Sequence, residues 1–110
     1  MTGWYLVLPT NDCPSRDYLI KLERANKVSH KAIIRRIENH VNNGTTTIPK
    51  HGHPVRGRTN LFVWKTDQGA RMLYFEIRNR HPVMVIGYAK GDPEEREYRR
   101  AEKLRDAYLA

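Results

Sequence analysis

Apolar positions along this chain change their spacing twice, and each change marks a change of element. Trp4 to Leu8 is a short continuous apolar run stopped by Pro9, the pattern of a buried or half-buried strand. Asp12 and Pro14 then give a helix start signal, followed by Tyr18, Leu19, Leu22 and Ala25 at helical spacing. After a break at Asn26 to Val28, Ser29 is placed to cap a second helix. Its stripe is Ala32, Ile33, Ile34, Ile37 and Val41, with Gly44 as the stop. Residues 45–60 are rich in Thr, Pro and Gly and show no period, which predicts a long basic loop.

From Leu61 the period becomes two. Leu61–Lys65, Arg71–Ile77 and Val83–Ala89 are rich in Val, Ile, Phe, Tyr and Trp, with turn residues between them, so they predict a meander of three antiparallel strands. Asp92-Pro-Glu-Glu95 then reads as a helix cap: Asp92 and Glu95 form a capping box and Pro93 takes the first helical position. Tyr98, Ala101, Leu104 and Tyr108 line one face of that last helix. The expected fold is therefore α+β: a small antiparallel sheet, made of an N-terminal strand plus the meander, with an N-terminal αα-hairpin and a C-terminal helix. One domain over residues 1–110 accounts for the whole pattern. Trp64, Tyr74 and Met84 fall on the parity opposite to Leu73 and Phe75 and are expected to fill the second face of the sheet, under the last helix.

Composition narrows the function classes. No apolar run approaches the length of a membrane span, and the N-terminus lacks a basic leader, so a cytoplasmic protein with no membrane partner is expected. Cys13 is the single cysteine and has no partner for an internal disulfide. The formal charge is +8, and its distribution matters more than its size. Residues 50–90 carry eight bases (Lys50, Arg56, Arg58, Lys65, Arg71, Arg78, Arg80 and Lys90) against Asp67 and Glu76, an excess of +6. The stretch also holds His51, His53 and His81. A concentrated positive field attracts polyanions, nucleic acid first.

This order of elements resembles the RelE/ParE superfamily of bacterial toxins, and several segments look like its HigB-type, phage-derived branch. Cys13-Pro-Ser-Arg-Asp-Tyr-Leu19 is similar to the start of that branch's first helix, and Arg36-Ile-Glu38 through Gly44 to its second helix. Leu61-Phe-Val-Trp-Lys65, Ala70-Arg-Met-Leu-Tyr-Phe75 and Val85-Ile-Gly-Tyr-Ala-Lys90 are similar to its Leu-Trp-Glu-Leu-Arg, Tyr-Arg-Ile-Leu-Tyr-Phe and Leu-His-Gly-Phe-x-Lys strands. Ala101 and Arg105 fall where its last helix has Ala and Arg. Two positions depart: Lys65 replaces the usual Arg, and Gly91 stands where a second Lys commonly follows the first. The resemblance implies the toxin of a toxin–antitoxin pair, a ribosome-dependent, metal-independent mRNA endoribonuclease whose partner is an acidic antitoxin. The superfamily also contains gyrase poisons, so a ParE-like poison without nuclease activity is the alternative. A non-catalytic basic nucleic-acid-binding domain is the third reading.

RNA cleavage without a metal needs a base for the 2′-hydroxyl proton, cations for the crowded phosphorane and an acid for the leaving oxygen. No cofactor is expected. Arg71, at the rim of an apolar strand face, is the expected phosphate clamp, with Lys65 across the turn beside it. Tyr88 and Lys90, two apart on an extended segment, are expected on one side of the sheet, to stack on a base and hold a phosphate. His53, with His51, is the candidate acid or base on the basic loop. Arg56, Arg58, Lys50 and Arg78 are the expected RNA-backbone contacts.

Overall fold

The computed structural model describes residues 4–43 and 52–110. In chain order these form β1 (Trp4–Tyr5), α1 (Pro14–Ala25), α2 (Lys27–Asn43), β2 (Gly52–Pro54), β3 (Phe62–Lys65), β4 (Ala70–Ile77), β5 (His81–Ala89) and α3 (Glu94–Leu109). The strands make one sheet in the order β1-β5-β4-β3-β2. Strands β2 to β5 are antiparallel neighbours, and β1 runs parallel to β5, with Trp4 opposite Val83. The architecture is α+β, as the periodicity predicts. Its N-terminal strand is parallel, not antiparallel as expected, because everything between β1 and β5 acts as one long crossover that returns the chain in the same direction. Among the described residues no helix is long and apolar enough to cross a membrane.

Three local expectations are corrected by hydrogen bonding. Strand β2 lies inside the segment expected to be a loop: His53 pairs with Val63, and the Val55 N–H donates to the Leu61 carbonyl at 2.8 Å. Three residues with Gly and Pro show no period, and Pro54 is tolerated because β2 is an edge strand. Helix α2 begins before Ser29. The Asn26 side-chain carbonyl accepts the Ser29 N–H at 3.1 Å, while the Asn26 N–H ends α1 on the Leu22 carbonyl at 2.7 Å. One residue thus closes one helix and caps the next, and Ser29 is buried in the hairpin. The Asp92 capping box does not form either. Asp92 instead accepts the Ala89 N–H at 2.9 Å and closes the turn after β5, and Pro93 occupies the cap position of α3. Gly44, the expected stop of α2, lies outside the described residues.

Strand β4 separates two cores. Ala70, Met72 and Tyr74 face the helical hairpin, with Leu19, Ile33, Ile37, Trp64 and Met84. Leu73 and Phe75 face α3, with Leu61, Val63, Val83, Val85, Ile86, Tyr88 and Ala101. Trp64, Tyr74 and Met84 therefore fill the second face as parity predicts, but the cover over them is the α1–α2 hairpin and not the last helix. Trp64 and Tyr74 stack with centroids 3.8 Å apart, and His40 meets both edge-on. The Trp64 indole N–H donates to His40 Nδ1 at 3.3 Å. Burial, aided by the positive Arg80, holds the His40 imidazole below its ordinary pKa.

Two irregularities set the geometry of β5. Leu73 is opposite Ile86 and Tyr74 is opposite Met84, so Val85 is an extra residue, a bulge. Met84 faces the hairpin before it, and Ile86 and Tyr88 face α3 after it. One residue further along, the ring of Tyr18 lies flat on Gly87, where a Cβ would come within 2.0 Å of the ring. The Tyr18 hydroxyl donates to the Tyr88 carbonyl at 3.0 Å and takes a hydrogen bond from the Arg71 backbone N–H. Only glycine leaves room for this seat.

Gly87→Ala should therefore lower the unfolding free energy by about 2–3 kcal/mol, the usual scale of overpacking. In a Tyr18→Ala background the same change should cost much less, and a double-mutant cycle by urea denaturation measures that coupling. His40 gives a pH prediction. Its proton binds more weakly in the folded chain than in the unfolded one, so its contribution is complete above the unfolded pKa of about 6.5 and is lost as pH falls below it. The stability difference between the native chain and His40→Gln should shrink between about pH 7.5 and about pH 5. A difference constant with pH would refute the assignment.

Candidate functional site

Register alone places three of the expected residues in one row. Lys65 on β3 is opposite Arg71 on β4, and Arg71 is opposite Tyr88 on β5. Directly opposed side chains have Cβ atoms about 5 Å apart. The row lies on the α3 face, at the end of the sheet where the β3–β4 turn meets the end of β5. His53, opposite Val63 on β2, is the diagonal neighbour of Lys65 on the same face, with Cβ atoms about 7–8 Å apart.

Arg71 is the best-held charge of the row. Its Nη1 donates to the carbonyls of Thr66, at 2.9 Å, and Ala70, at 3.2 Å. Those carbonyls belong to a turn that is itself fixed, by Thr66 Oγ1 accepting the Ala70 N–H at 3.0 Å and by Gly69 at φ +98°. Glycine is required there because an L side chain rarely adopts that φ. Among the described residues Nε and Nη2 of Arg71 donate to no protein acceptor, so the side of the guanidinium that grips an oxyanion with two parallel bonds is uncommitted. Lys65 is half-buried and forms no ion pair among the described residues; its carbonyl accepts from Arg36 Nε at 3.3 Å.

Tyr88 does not match its expected role. Only 4% exposed, its ring meets Tyr98 of α3 edge-on at 6.3 Å, which prevents it from stacking on a base while α3 is docked. Its hydroxyl bonds to Tyr98, whose own hydroxyl donates to Glu94 at 2.8 Å. Burial first, and then donation to Tyr98, push the Tyr88 phenol far above its ordinary pKa. It stays protonated at any physiological pH. Tyr88 can donate a hydrogen bond but cannot serve as a base.

The imidazole of His53 is half-buried, with Nδ1 2.8 Å from the Pro54 carbonyl. A carbonyl can only accept, so this bond puts the neutral ring's proton on Nδ1 and leaves the lone pair on Nε2. That is the form a general base needs.

The remaining expected residues scatter. β5 ends at Ala89, so Lys90 lies in the turn at Gly91 and not on the strand with Tyr88. Its N–H donates to the Gly69 carbonyl at 2.8 Å, and it lines a shallow hollow with Tyr18 and Leu22 on the hairpin side. Arg58, expected to contact RNA, is instead neutralised. It pairs with Glu95 and Glu102 of α3 and lies over the Tyr98 ring at 5.5 Å. Arg56 is exposed in the β2–β3 turn. Arg78 sits in the β4–β5 turn, seven residues on from Arg71 or about 23 Å along the strand, too far to serve the same site. His81 starts β5 at that far end. Lys50 and His51 lie outside the described residues.

Sequence reasoning missed the residues that hold this site together. Tyr18 ties the backbone of Arg71 and Tyr88. Arg105 of α3 donates to the Thr59 and Asn60 carbonyls. Asn60 pairs with both backbone groups of Glu76, at 2.9 and 3.1 Å, and extends the β3–β4 ladder. All act on groups far away in sequence, and the one local clue is Gly87 in the middle of an otherwise bulky strand.

If Arg58 fastens α3, Arg58→Ala should lower stability by about 1–2 kcal/mol, a discounted figure for a partly exposed pair. Hydrogen exchange of the α3 amides should rise with it. Arg56→Ala should leave both unchanged. Equal stability of the two variants in denaturant titration would return Arg58 to the surface charges.

No protein-family model matches this chain, and no curated protein sequence matches it; what the site does is therefore read from its own residues.

Proposed function

We propose that the chain is a toxin of the RelE/ParE kind, a metal-independent endoribonuclease that cuts mRNA on the ribosome and is held in check by an acidic antitoxin. The observation that carries this reading is the Arg71 guanidinium, fixed through Nη1 on the turn carbonyls with its Nε–Nη2 side uncommitted. A gyrase poison has no need of a preorganised oxyanion grip beside a lysine and an imidazole. An acyclic phosphodiester laid along the row meets three kinds of group. Arg71 binds the non-bridging oxygens with two parallel bonds and neutralises the charge that grows in the phosphorane. Lys65 adds a second positive charge across the strand. His53 Nε2 takes the 2′-hydroxyl proton, the 2′-oxygen attacks the adjacent phosphorus, and the P–O5′ bond breaks to leave a 2′,3′-cyclic phosphate, the departing 5′-oxygen taking its proton from water. The RelE-like identity of the fold belongs to the same reading and is supported by the α+β architecture and the order of its elements.

The chain expressed alone should stop bacterial growth, and on programmed ribosomes it should cleave mRNA in a single-turnover assay. Arg71→Ala should slow cleavage about 100-fold, the loss typical of one preorganised donor, with the unfolding midpoint little changed. Arg71→Lys should recover only part of the rate, because a point charge cannot reproduce the two parallel bonds. Inhibition of gyrase supercoiling without mRNA cleavage would overturn the proposal in favour of the ParE-like alternative.

A further inference from the structure

The ten charged side chains of α3 are sorted around its axis. Five are acidic and five basic, so the helix as a whole carries no net charge. On one flank, Glu95 and Glu102 are taken by Arg58, and Arg105 lies inward against the β2–β3 turn. On the outer face, Arg96, Arg99, Arg100 and Lys103 are all exposed, at the spacing i, i+3, i+4, i+7 that makes one stripe about 10 Å long. Among the described residues the only ion pair on the stripe is Arg96 with Glu97, at 3.4 Å. On the flank opposite Arg58 the same helix borders an open apolar groove of about 550 Å³ between Leu6–Pro9 and Leu104, Ala107 and Tyr108. Val7 is 52% exposed there and Tyr108 49%.

We propose that this combined surface docks an acidic amphipathic protein segment, with its apolar ridge in the groove and its carboxylates along the stripe. Charge and shape together select that occupant. An RNA backbone would satisfy the stripe and leave the groove unused, since phosphate contacts need no apolar seat. A second copy of the chain would bring a like-charged stripe against this one. A lipid surface accepts a convex apolar face, whereas this one is recessed between two walls. The surface lies on the side of α3 turned away from the Lys65–Arg71–Tyr88 row. The inference rests on this surface and not on the nuclease reading, and its test measures binding and not cleavage, so each fails separately.

The probe is a fluorescent amphipathic peptide with leucines on one helical face and glutamates on the other, read by anisotropy. A scrambled peptide of the same composition is the reference. The native chain should bind the amphipathic peptide at least about tenfold more tightly than the scrambled one. Reversing the stripe with Arg99→Glu, Arg100→Glu and Lys103→Glu should weaken binding about tenfold or more, and so should Val7→Ser with Tyr108→Ser. The matched reversal on α2, Lys27→Glu, Lys31→Glu and Arg35→Glu, should change it less than about threefold. All these positions are exposed, and circular dichroism checks that each variant is folded. Equal binding of the scrambled peptide, or an equal loss from the α2 reversal, would overturn the proposal. So would groove-dependent self-association in light scattering, or groove-dependent binding to anionic vesicles. Binding of an RNA oligonucleotide that is lost on stripe reversal, with no binding of the peptide, would overturn it in favour of nucleic acid.

Discussion

Strand β4 must bury both of its faces at once, and the rest of the molecule is arranged around that requirement. A 110-residue chain has little apolar material, and placing one strand between two helical layers uses each alternate side chain twice as effectively as an open sheet does. Met72 and Tyr74 belong to the hairpin layer, Leu73 and Phe75 to α3. Arg71 is the first residue on the α3 side and lies where that cover runs out. A charge there is held by a rigid strand without being sealed from water, the condition a phosphate-binding group needs.

Period two from Leu61 onward was enough to place every residue of β3 and β4 on its proper face, because those strands are regular and buried. The helix that covers a face left no such trace, since helical stripes in α1, α2 and α3 are all apolar and nothing local assigns them to one side. Boundaries shift where one polar residue has two tasks open to it. Asn26 ends α1 with its backbone N–H and caps α2 with its side chain, and Asp92 closes a turn in preference to capping α3; the partners lie within four residues on either side, and local sequence does not rank one above the other. Strand β2 was hidden because three residues with Gly and Pro pair only when β3 is already there to receive them.

The site was legible to the same extent. Lys65 and Arg71 could be paired from the length of the turn between them, and Tyr88 came with them through the resemblance. Its burial could not be foreseen, because Tyr98 and Glu94 reach it only after α3 has folded back on the sheet. Arg58 looked like any other cation of the basic stretch; its partners Glu95 and Glu102 lie 37 and 44 residues away. Tyr18 is 70 residues from the carbonyl it holds.

The bulge at Val85 sets the phase of β5. With strict alternation from Met84, Ile86 and Tyr88 would point toward the hairpin and Gly87 toward α3. Tyr18 would then meet a bulky side chain in place of its seat, and Arg71 would face an empty position in place of an aromatic one. The bulge takes the extra residue out of the ladder and so keeps the two layers in step. Deleting Val85 alone would therefore straighten the strand and leave Tyr88 opposite Arg71, whereas one residue inserted before Tyr88 and not absorbed by a second bulge would separate the tyrosine from the arginine without removing either.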